Sequence, residues 1–169
     1  MTNTNKSILV LGTIFLLLNF AGCYSFTGGS VPSHLKTIAI PIFDDRSGFG
    51  EPGLREIFTN KTIDRFRKDN SLELTDERTS DSILECTIVT VRDEPSVIEA
   101  GEAVSKRKIT ITVKAVFHDM KMKRSIFDKQ LSNWGEYEPG GGYEQRQLAI
   151  NIAIEKLTED ILLETVSGW

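Results

Sequence analysis

Apolar and polar side chains alternate most regularly over residues 107–118, and this pattern predicts a β-strand with one buried face. Residues 83–91 share the period of two and are predicted as the preceding strand. One apolar face and one largely polar face are typical of an antiparallel sheet that is covered on one side. The predicted inward residues are Leu84, Cys86, Ile88, Ile109, Ile111, Val113, Ala115 and Phe117.

A βαβ unit is predicted before these two strands. Residues 37–43 are β-branched and apolar on both faces, which indicates a largely buried strand with Pro41 at an edge or bulge. Residues 54–68 follow as an amphipathic helix, and residues 71–75 return as a short strand beside the first. The predicted apolar stripe of this helix consists of Leu54, Ile57, Phe58 and Phe66.

The C-terminal half predicts one more strand and a second helix. Residues 126–137 form the last strand, with a bulge or strand end after Leu131, where the spacing of large side chains slips from two to three. Residues 143–166 form a long amphipathic helix. We therefore expect a two-layer α+β fold with a mixed, mostly antiparallel sheet of four to five strands packed by two helices, in the order β-α-β-β-β-β-α. The predicted buried positions of the second helix are Ile150, Ala153, Ile154, Leu157, Ile161 and Leu162.

The N-terminus has the pattern of a lipoprotein signal peptide. Lys6 precedes an apolar run that is too short to span a membrane, and the small pair Ala21-Gly22 stands directly before Cys23. Phe20 takes the position where such motifs usually have leucine. The pattern predicts cleavage after residue 22, acylation of Cys23 with chains such as palmitate, a tether over residues 23–34 and one domain over residues 35–169. A secretory signal with a chance cysteine and a retained signal anchor are the alternatives.

Charge and residue types narrow the function. The formal charge is -4, and removing Lys6 with the signal peptide makes it -5, which disfavours nucleic-acid binding. With two histidines and none of the common catalytic motifs, the sequence predicts no enzyme, no metal and no cofactor. If Cys23 carries lipid, Cys86 has no disulfide partner within the chain and should be buried and inert.

One glycine-rich segment matches the spacing of a nucleotide-binding motif, so this interpretation has to be considered. Gly48-Phe49-Gly50-Glu51-Pro52-Gly53 fits the spacing G-x-G-x-x-G between a strand and a helix. However, Asp44-Asp45-Arg46-Ser47 separates it from the strand and places two carboxylates near any pyrophosphate. A loop that leads into a helix starting at Pro52 explains the segment better.

Several segments resemble the more divergent branch of the LptE family, the lipopolysaccharide-assembly lipoproteins of the outer membrane. The similar segments are Gly22-Cys23-Tyr24-Ser25-Phe26, Leu35-Lys36-Thr37-Ile38-Ala39-Ile40-Pro41, Gly50-Glu51-Pro52-Gly53-Leu54-Arg55 and Thr165-Val166-Ser167-Gly168-Trp169. The resemblance implies a non-enzymatic α+β domain that is held by lipid on the periplasmic face of the outer membrane. It also implies that the domain plugs and helps to assemble an LptD-like barrel and that it binds lipopolysaccharide.

Phosphorylated lipid A requires cations, and the predicted mature chain has two dense basic clusters. They lie at opposite ends of one predicted strand, on the order of 40 Å apart, so they cannot form one head-group site. Solvent-exposed charges that protect strand ends are the alternative explanation for either cluster. The lipopolysaccharide-binding candidates are Lys106, Arg107, Lys108, Lys121, Lys123 and Arg124.

Contacts to a barrel are expected from a long loop over residues 93–106, from the turn at residues 121–124 and from large aromatic side chains. The partner-contact candidates are Glu94, Glu99, Glu102, Trp134 and Tyr137, and ordinary core packing is the alternative for the two aromatic residues. An alternative function is that of a structural periplasmic lipoprotein that binds another envelope protein or peptidoglycan.

Overall fold

The computed structural model describes residues 31–98 and 104–167. The strands are β1 (Thr37–Ala39), β2 (Asp44–Asp45), β3 (Glu73–Leu74), β4 (Ser82–Ile98), β5 (Val104–Asp119) and β6 (Arg124–Tyr137). The helices are α1 (Leu54–Asp69) and α2 (Gly142–Ser167), with a 3-10 turn at Pro139–Gly141 directly before α2. Neither helix in these described residues has the stretch of apolar sequence that a membrane span requires.

All six strands belong to one mixed sheet with the order β3-β1-β4-β5-β6, and β2 also pairs with β4. The β1 strand is parallel to β3 and to β4, and β2 is parallel to β4. The long strands β4, β5 and β6 are antiparallel neighbours and form most of the sheet. The α+β class, the mixed sheet and its two helices are confirmed, although the described residues form six strands where four to five were predicted.

The predicted first strand, residues 37–43, ends early at Ala39, and the separate short strand β2 begins beyond it at Asp44. Residues 37–39 and 44–45 pair with β4, whereas residues 40–43 do not belong to a strand. Proline has no N–H to donate to the ladder, and the Phe43 N–H donates instead to Thr59 Oγ1 on α1 at 3.0 Å. The chain therefore leaves the sheet after Ala39 and returns at Asp44.

The prediction of a long loop over residues 93–106 is wrong. Residues 93–98 end β4 and residues 104–106 begin β5, so these strands extend as a hairpin arm, which we define as residues 93–98 and 104–108. Pro95 fits within β4 because the described part of β4 beyond Ile88 pairs with β5 alone, which leaves an open edge. The arm was missed because no period of two marks it and because its acidic residues, Pro95 and Gly101 favoured a loop.

Both helices cover the same face of the sheet. Ion pairs from Lys61 to Glu155 and from Arg65 to Glu159 link them. The inward residues predicted for β4 and β5, and those predicted for α2, are all buried in one core. On α1, Leu54, Phe58 and Phe66 are buried as predicted, but Ile57 is exposed. The row at four-residue spacing is completed instead by Thr62, whose hydroxyl donates to the Phe58 carbonyl.

The predicted bulge after Leu131 is also wrong, because β6 pairs with β5 without a shift from Leu131 to Tyr137. The spacing of large residues slips because Gly135 takes an inward position beneath α2 and faces the backbone of Ala149. Trp134 therefore points away from the core. A small residue at a close helix contact thus accounts for the break in the pattern.

Cys86 is buried and free, as predicted. It lies on β4 between Leu84 and Ile88, and burial raises the pKa of its thiol well above the ordinary value. The thiolate is the reactive form of cysteine. Cys86 is therefore a packing residue of low reactivity.

Candidate functional site

Residues 120–123 connect β5 to β6, and together with Arg124, the first residue of β6, they form what we call the basic turn. Its sequence alternates two methionines with cations: Met120, Lys121, Met122, Lys123 and Arg124. The fully buried Asp119 beneath it accepts a hydrogen bond from the Met122 N–H at 2.8 Å. Lys123 has a φ of 51°, a conformation that glycine and asparagine adopt more readily than lysine.

The first residues of the domain are bonded to the basic turn. His34 Nε2 lies 2.7 Å from Asp119 Oδ2, and Lys121 Nζ donates to the His34 carbonyl at 2.7 Å. Lys121 Nζ also lies 2.9 Å from Asp81 Oδ1. The other oxygen of Asp81 accepts hydrogen bonds from the backbone N–H groups of Lys36 at 2.8 Å and Thr37 at 3.2 Å. The start of the domain and the basic turn therefore lie at one end of the sheet.

This end of the domain has an excess of positive charge. Lys36 and the three cations of the basic turn outnumber the three carboxylates of Asp81, Asp119 and Glu73. Arg124 approaches Asp119 only to 4.0 Å, and Lys123 makes no ion pair with any residue that the structure describes. Lys121 is held in place, whereas Lys123 and Arg124 are available to an anion.

Asp81, which is partly exposed, and the buried Asp119 both have a pKa lower than the ordinary value of an aspartate. For Asp81, the hydrogen bond from Lys121 is the largest cause, followed by the one from the Lys36 N–H. For Asp119, burial is the largest influence and acts in the opposite direction, but the hydrogen bonds from the Met122 N–H and His34 outweigh it. Both groups therefore favour the folded state when they are ionised.

Because the folded pKa of each group lies below the unfolded value of about 3.9, their stabilisation is present above roughly pH 4 and is lost as the pH falls through the folded values. We expect Asp119→Asn to cost about 1–3 kcal/mol at pH 7 and to flatten the loss of stability in acid. Urea unfolding from about pH 7 to pH 2 measures both effects. Asp128→Asn, at an exposed site on β6, is the control for removing a carboxylate, and a wild-type acid profile in Asp119→Asn would contradict the assignment.

The second basic cluster lies on the hairpin arm, at the opposite end of β5, and acidic groups neutralise most of it. Arg107 Nε donates to Asp93 Oδ1 at 2.8 Å, and its Nη2 donates to the Asp93 carbonyl at 2.9 Å. Lys108 lies 3.5 Å from Glu94. Lys106 is exposed beside a shallow pocket that Glu136 and Glu138 also line. Phosphate would meet carboxylates here, so this cluster suits an anionic ligand less well than the basic turn.

The partner-contact candidates do not form one group. Trp134 is 48% exposed on β6, with Lys156 Nζ 5.1 Å from its ring centroid. Tyr137 is buried, and its hydroxyl donates to Asp93 Oδ2 at 2.7 Å. It is therefore a core residue at the base of the hairpin arm. Glu94 pairs with Lys108. Glu99 and Glu102 lie outside the described residues.

A partly buried ionic network at the base of the hairpin arm was missed in the sequence. Glu51 accepts hydrogen bonds from Arg146 Nη1 at 2.7 Å and from Gln147 Nε2 at 2.5 Å, and the Arg146 guanidinium stacks 4.8 Å from the Phe49 ring centroid. Arg146 Nε also lies 3.5 Å from Asp93 Oδ2. The glycine-rich loop thus packs its own carboxylate against α2. No spacing rule connects residues so far apart in the chain.

The face of the sheet opposite the helices is polar, and its side chains are partly or fully exposed. We call it the open face. A shallow groove of about 340 Å³ crosses β4, β5 and β6 on this face. Its lining includes Thr90, Arg92, Thr110, Thr112 and Ser132. Such a face suits contact with a polar surface more than with lipid.

Residues 35–165 match the family model described as LptE, lipopolysaccharide-assembly. The chain belongs to the LptE family. This match covers β1 through nearly all of α2 and includes the basic turn and the hairpin arm. No curated protein matches the chain significantly.

Solved structures share the fold of this LptE-family domain at low sequence identity. A hypothetical protein from Chlamydia trachomatis has a TM-score of 0.57 at 11% identity, over 77% of this chain and 95% of the other. A putative lipoprotein from Caulobacter crescentus has a TM-score of 0.51 at 12% identity, over 79% and 90%. Rare lipoprotein B from Shewanella oneidensis has a TM-score of 0.50 at 10% identity, over 76% and 92%.

Membership of the LptE family associates the chain with lipopolysaccharide assembly in the cell envelope, in a family of non-enzymatic lipoproteins. Within this LptE-family domain, the six basic candidates lie at the two ends of β5, as the sequence predicts. The features not anticipated are the methionines of the basic turn, its bonds to residues 34–37 and the Glu51 network.

Proposed function

We propose that the protein is an outer-membrane lipoprotein that plugs the lumen of an LptD-like barrel, assists the barrel's assembly and binds lipopolysaccharide on its way to the cell surface. The family match over residues 35–165 is the observation that carries this proposal. The domain would stand on the periplasmic face of the membrane, held by acyl chains on Cys23. An intact mass that shows cleavage before Cys23 and the added acyl chains tests the anchor, and an unmodified Cys23 would contradict it.

The shape of the domain supports the plug. The first residues of the domain lie at the basic turn. An acyl anchor at Cys23 would therefore hold the basic-turn end of the domain at the periplasmic surface of the outer membrane. The 16 residues of β5 extend away from it over roughly 50 Å, at about 3.3 Å per residue. The hydrocarbon layer is only about 30 Å thick. A domain of this length can reach from the periplasmic side far into a barrel, with the hairpin arm leading.

The surface of the domain also suits a barrel's interior. Large barrels have polar lumens, and the open sheet face presents threonine, serine and arginine side chains. On the hairpin arm, the described charged residues are largely paired with one another, as in Arg107 with Asp93 and Lys108 with Glu94. Paired charges can enter a confined polar space at lower cost than single charges. We assign the barrel contact to the arm and the open face.

We assign lipopolysaccharide binding to the basic turn because, among the described residues, Lys123 makes no ion pair and Arg124 approaches a carboxylate only to 4.0 Å. Charge-assisted bonds to phosphate are the strong polar contacts that such side chains can make. Lys121 is left out of the test because it holds Asp81 and the His34 carbonyl, so its loss would disturb the fold.

Reversing two charges in the basic turn should weaken lipopolysaccharide binding by about tenfold or more, since two charge-assisted bonds are lost. The variant is Lys123→Glu with Arg124→Glu, and its residual binding should depend less on salt than that of the wild type. Titration of purified protein with lipopolysaccharide at low and at high salt measures both quantities.

The matched control is Lys106→Glu with Lys108→Glu on the hairpin arm, which changes the net charge equally at the other end of β5. We expect its affinity to stay within about twofold of the wild type, a difference under 0.5 kcal/mol. An equal loss in the two variants would show an effect of net charge only. A loss confined to the control would place the binding site on the arm.

A further inference from the structure

The basic turn carries two exposed apolar side chains in addition to its cations. Met120 is 44% exposed and Met122 is 56% exposed, and they alternate with Lys121 and Lys123. The described core does not use them, and lipopolysaccharide phosphates have no need of them. Methionine is flexible and adapts to irregular apolar surroundings. Apolar side chains placed among cations are typical of segments that lie in a membrane interface.

The backbone of the turn is held firmly enough to present these side chains. The Met120 N–H donates to the Asp81 carbonyl at 2.9 Å, and the Met122 N–H donates to the buried Asp119 carboxylate at 2.8 Å. Lys123 keeps a left-handed φ of 51° where glycine would be easier to accommodate. The turn's own geometry therefore gives no reason for a lysine there, whereas an external anion does.

The position of the turn brings it close to a membrane. His34, whose carbonyl accepts from Lys121, follows Cys23 by eleven residues. Even fully extended, that length of chain spans at most about 40 Å. With acyl chains on Cys23, the bilayer surface is therefore always within reach of this end of the domain. A bilayer with anionic lipids matches the excess of cations at this end.

We infer that, before the protein engages a barrel, the basic turn docks on the bilayer that holds its anchor, with Met120 and Met122 at the boundary between headgroups and acyl chains. Lys123 and Arg124 then lie against lipid phosphates. This inference rests on the proposed acylation of Cys23, but it does not require lipopolysaccharide binding. Docking holds the domain upright at the membrane surface where a barrel is assembled.

A fluorescent probe at residue 122 tests the docking. In the Met122→Cys variant of the full acylated protein, the new cysteine is the only reactive thiol, because Cys23 carries lipid and Cys86 is buried. An environment-sensitive dye is attached there, and the protein is reconstituted into vesicles of phosphatidylethanolamine with phosphatidylglycerol. Lipids brominated near the headgroup quench dyes that enter the bilayer. Glu138→Cys, at an exposed site beyond the other end of β6, carries the control probe.

We expect quenching at residue 122 to exceed that at residue 138 at least threefold. It should fall when Lys123→Glu and Arg124→Glu are added, or when phosphatidylcholine replaces phosphatidylglycerol. Equal quenching at the two positions, or quenching at residue 122 that neither change reduces, would overturn the inference. In either case the lipid tether alone would explain the quenching. Met120→Ser added to Met122→Cys separates the two proposals, because the same labelled protein reports both quenching and lipopolysaccharide titration. Retained binding together with lost docking supports the inference, whereas loss of both would make the methionines part of the lipopolysaccharide site.

Discussion

Gly135→Ala should destabilise the domain by about 3 kcal/mol or more, at the upper end of what overpacking costs. Gly135 faces α2 from β6, and an added Cβ would lie 2.8 Å from the Ala149 carbonyl carbon and 2.9 Å from its Cα. These are backbone atoms of a long helix, so no side-chain rotation can relieve the overlap. Either α2 must shift away from the sheet or β6 must bend.

Urea unfolding of the two proteins measures this cost. Gly140→Ala is the matched control, because a Cβ at Gly140 meets nothing within 4 Å, and its effect should stay within about 0.5 kcal/mol. Similar small effects at both positions would show that α2 does not rest on β6 as closely as described. Because α2 is the main cover of β5 and β6, the same substitution should lower the amount of folded protein in cells.

Shortening the hairpin arm should reduce barrel maturation by about tenfold or more while the isolated domain stays folded. Interface energy is concentrated in few residues, and each tenfold corresponds to about 1.4 kcal/mol. The change replaces residues 98–105 with Asn-Gly, so that a two-residue turn joins the cross-strand partners Val97 and Lys106. The ion pair of Arg107 with Asp93 at the base of the arm is kept.

The measurement is the amount of mature barrel in the outer membrane of cells that depend on the variant. Urea unfolding of the purified variant, compared with the wild type, verifies that the domain is intact. A control of equal length, in which residues 98–105 are replaced by a glycine-serine segment, separates the length of the arm from its side chains. Normal barrel maturation with the shortened arm would contradict the assignment of the barrel contact to it.

Periodicity predicted the parts of the fold in which burial is one-sided. Ile109, Ile111 and Val113 alternate with polar residues, so their strand and its inward face followed directly from the period of two. The apolar face of α2 followed in the same way from its spacing. The short strand β3 beside β1 was predictable because a helix between two strands favours a parallel return.

Other features left no periodic trace. Acidic residues, Pro95 and Gly101 interrupt residues 93–106, so the pattern favoured a loop where the backbone forms two paired strands. Gly135 broke the alternation of β6 because a close helix contact excludes any side chain there. The residue pair Glu51 and Arg146 meets only after the sheet and α2 are packed together.

The candidate site was predictable in composition but not in detail. Charge density alone located the two basic clusters. It could not show that Asp93 neutralises Arg107 or that Lys121 forms an ion pair with Asp81. Nor could it show that Lys123 and Arg124 remain available to an anionic ligand. These differences depend on contacts between strands and between the turn and the first residues of the domain.

The most direct test of the proposed function is purification of the full acylated protein from envelope membranes in mild detergent, followed by mass identification of whatever is retained with it. We expect a barrel of outer-membrane size with the wild type and much less of it with the shortened arm. A soluble envelope protein or cell-wall fragments in place of the barrel would contradict the proposal and would instead support a structural periplasmic lipoprotein.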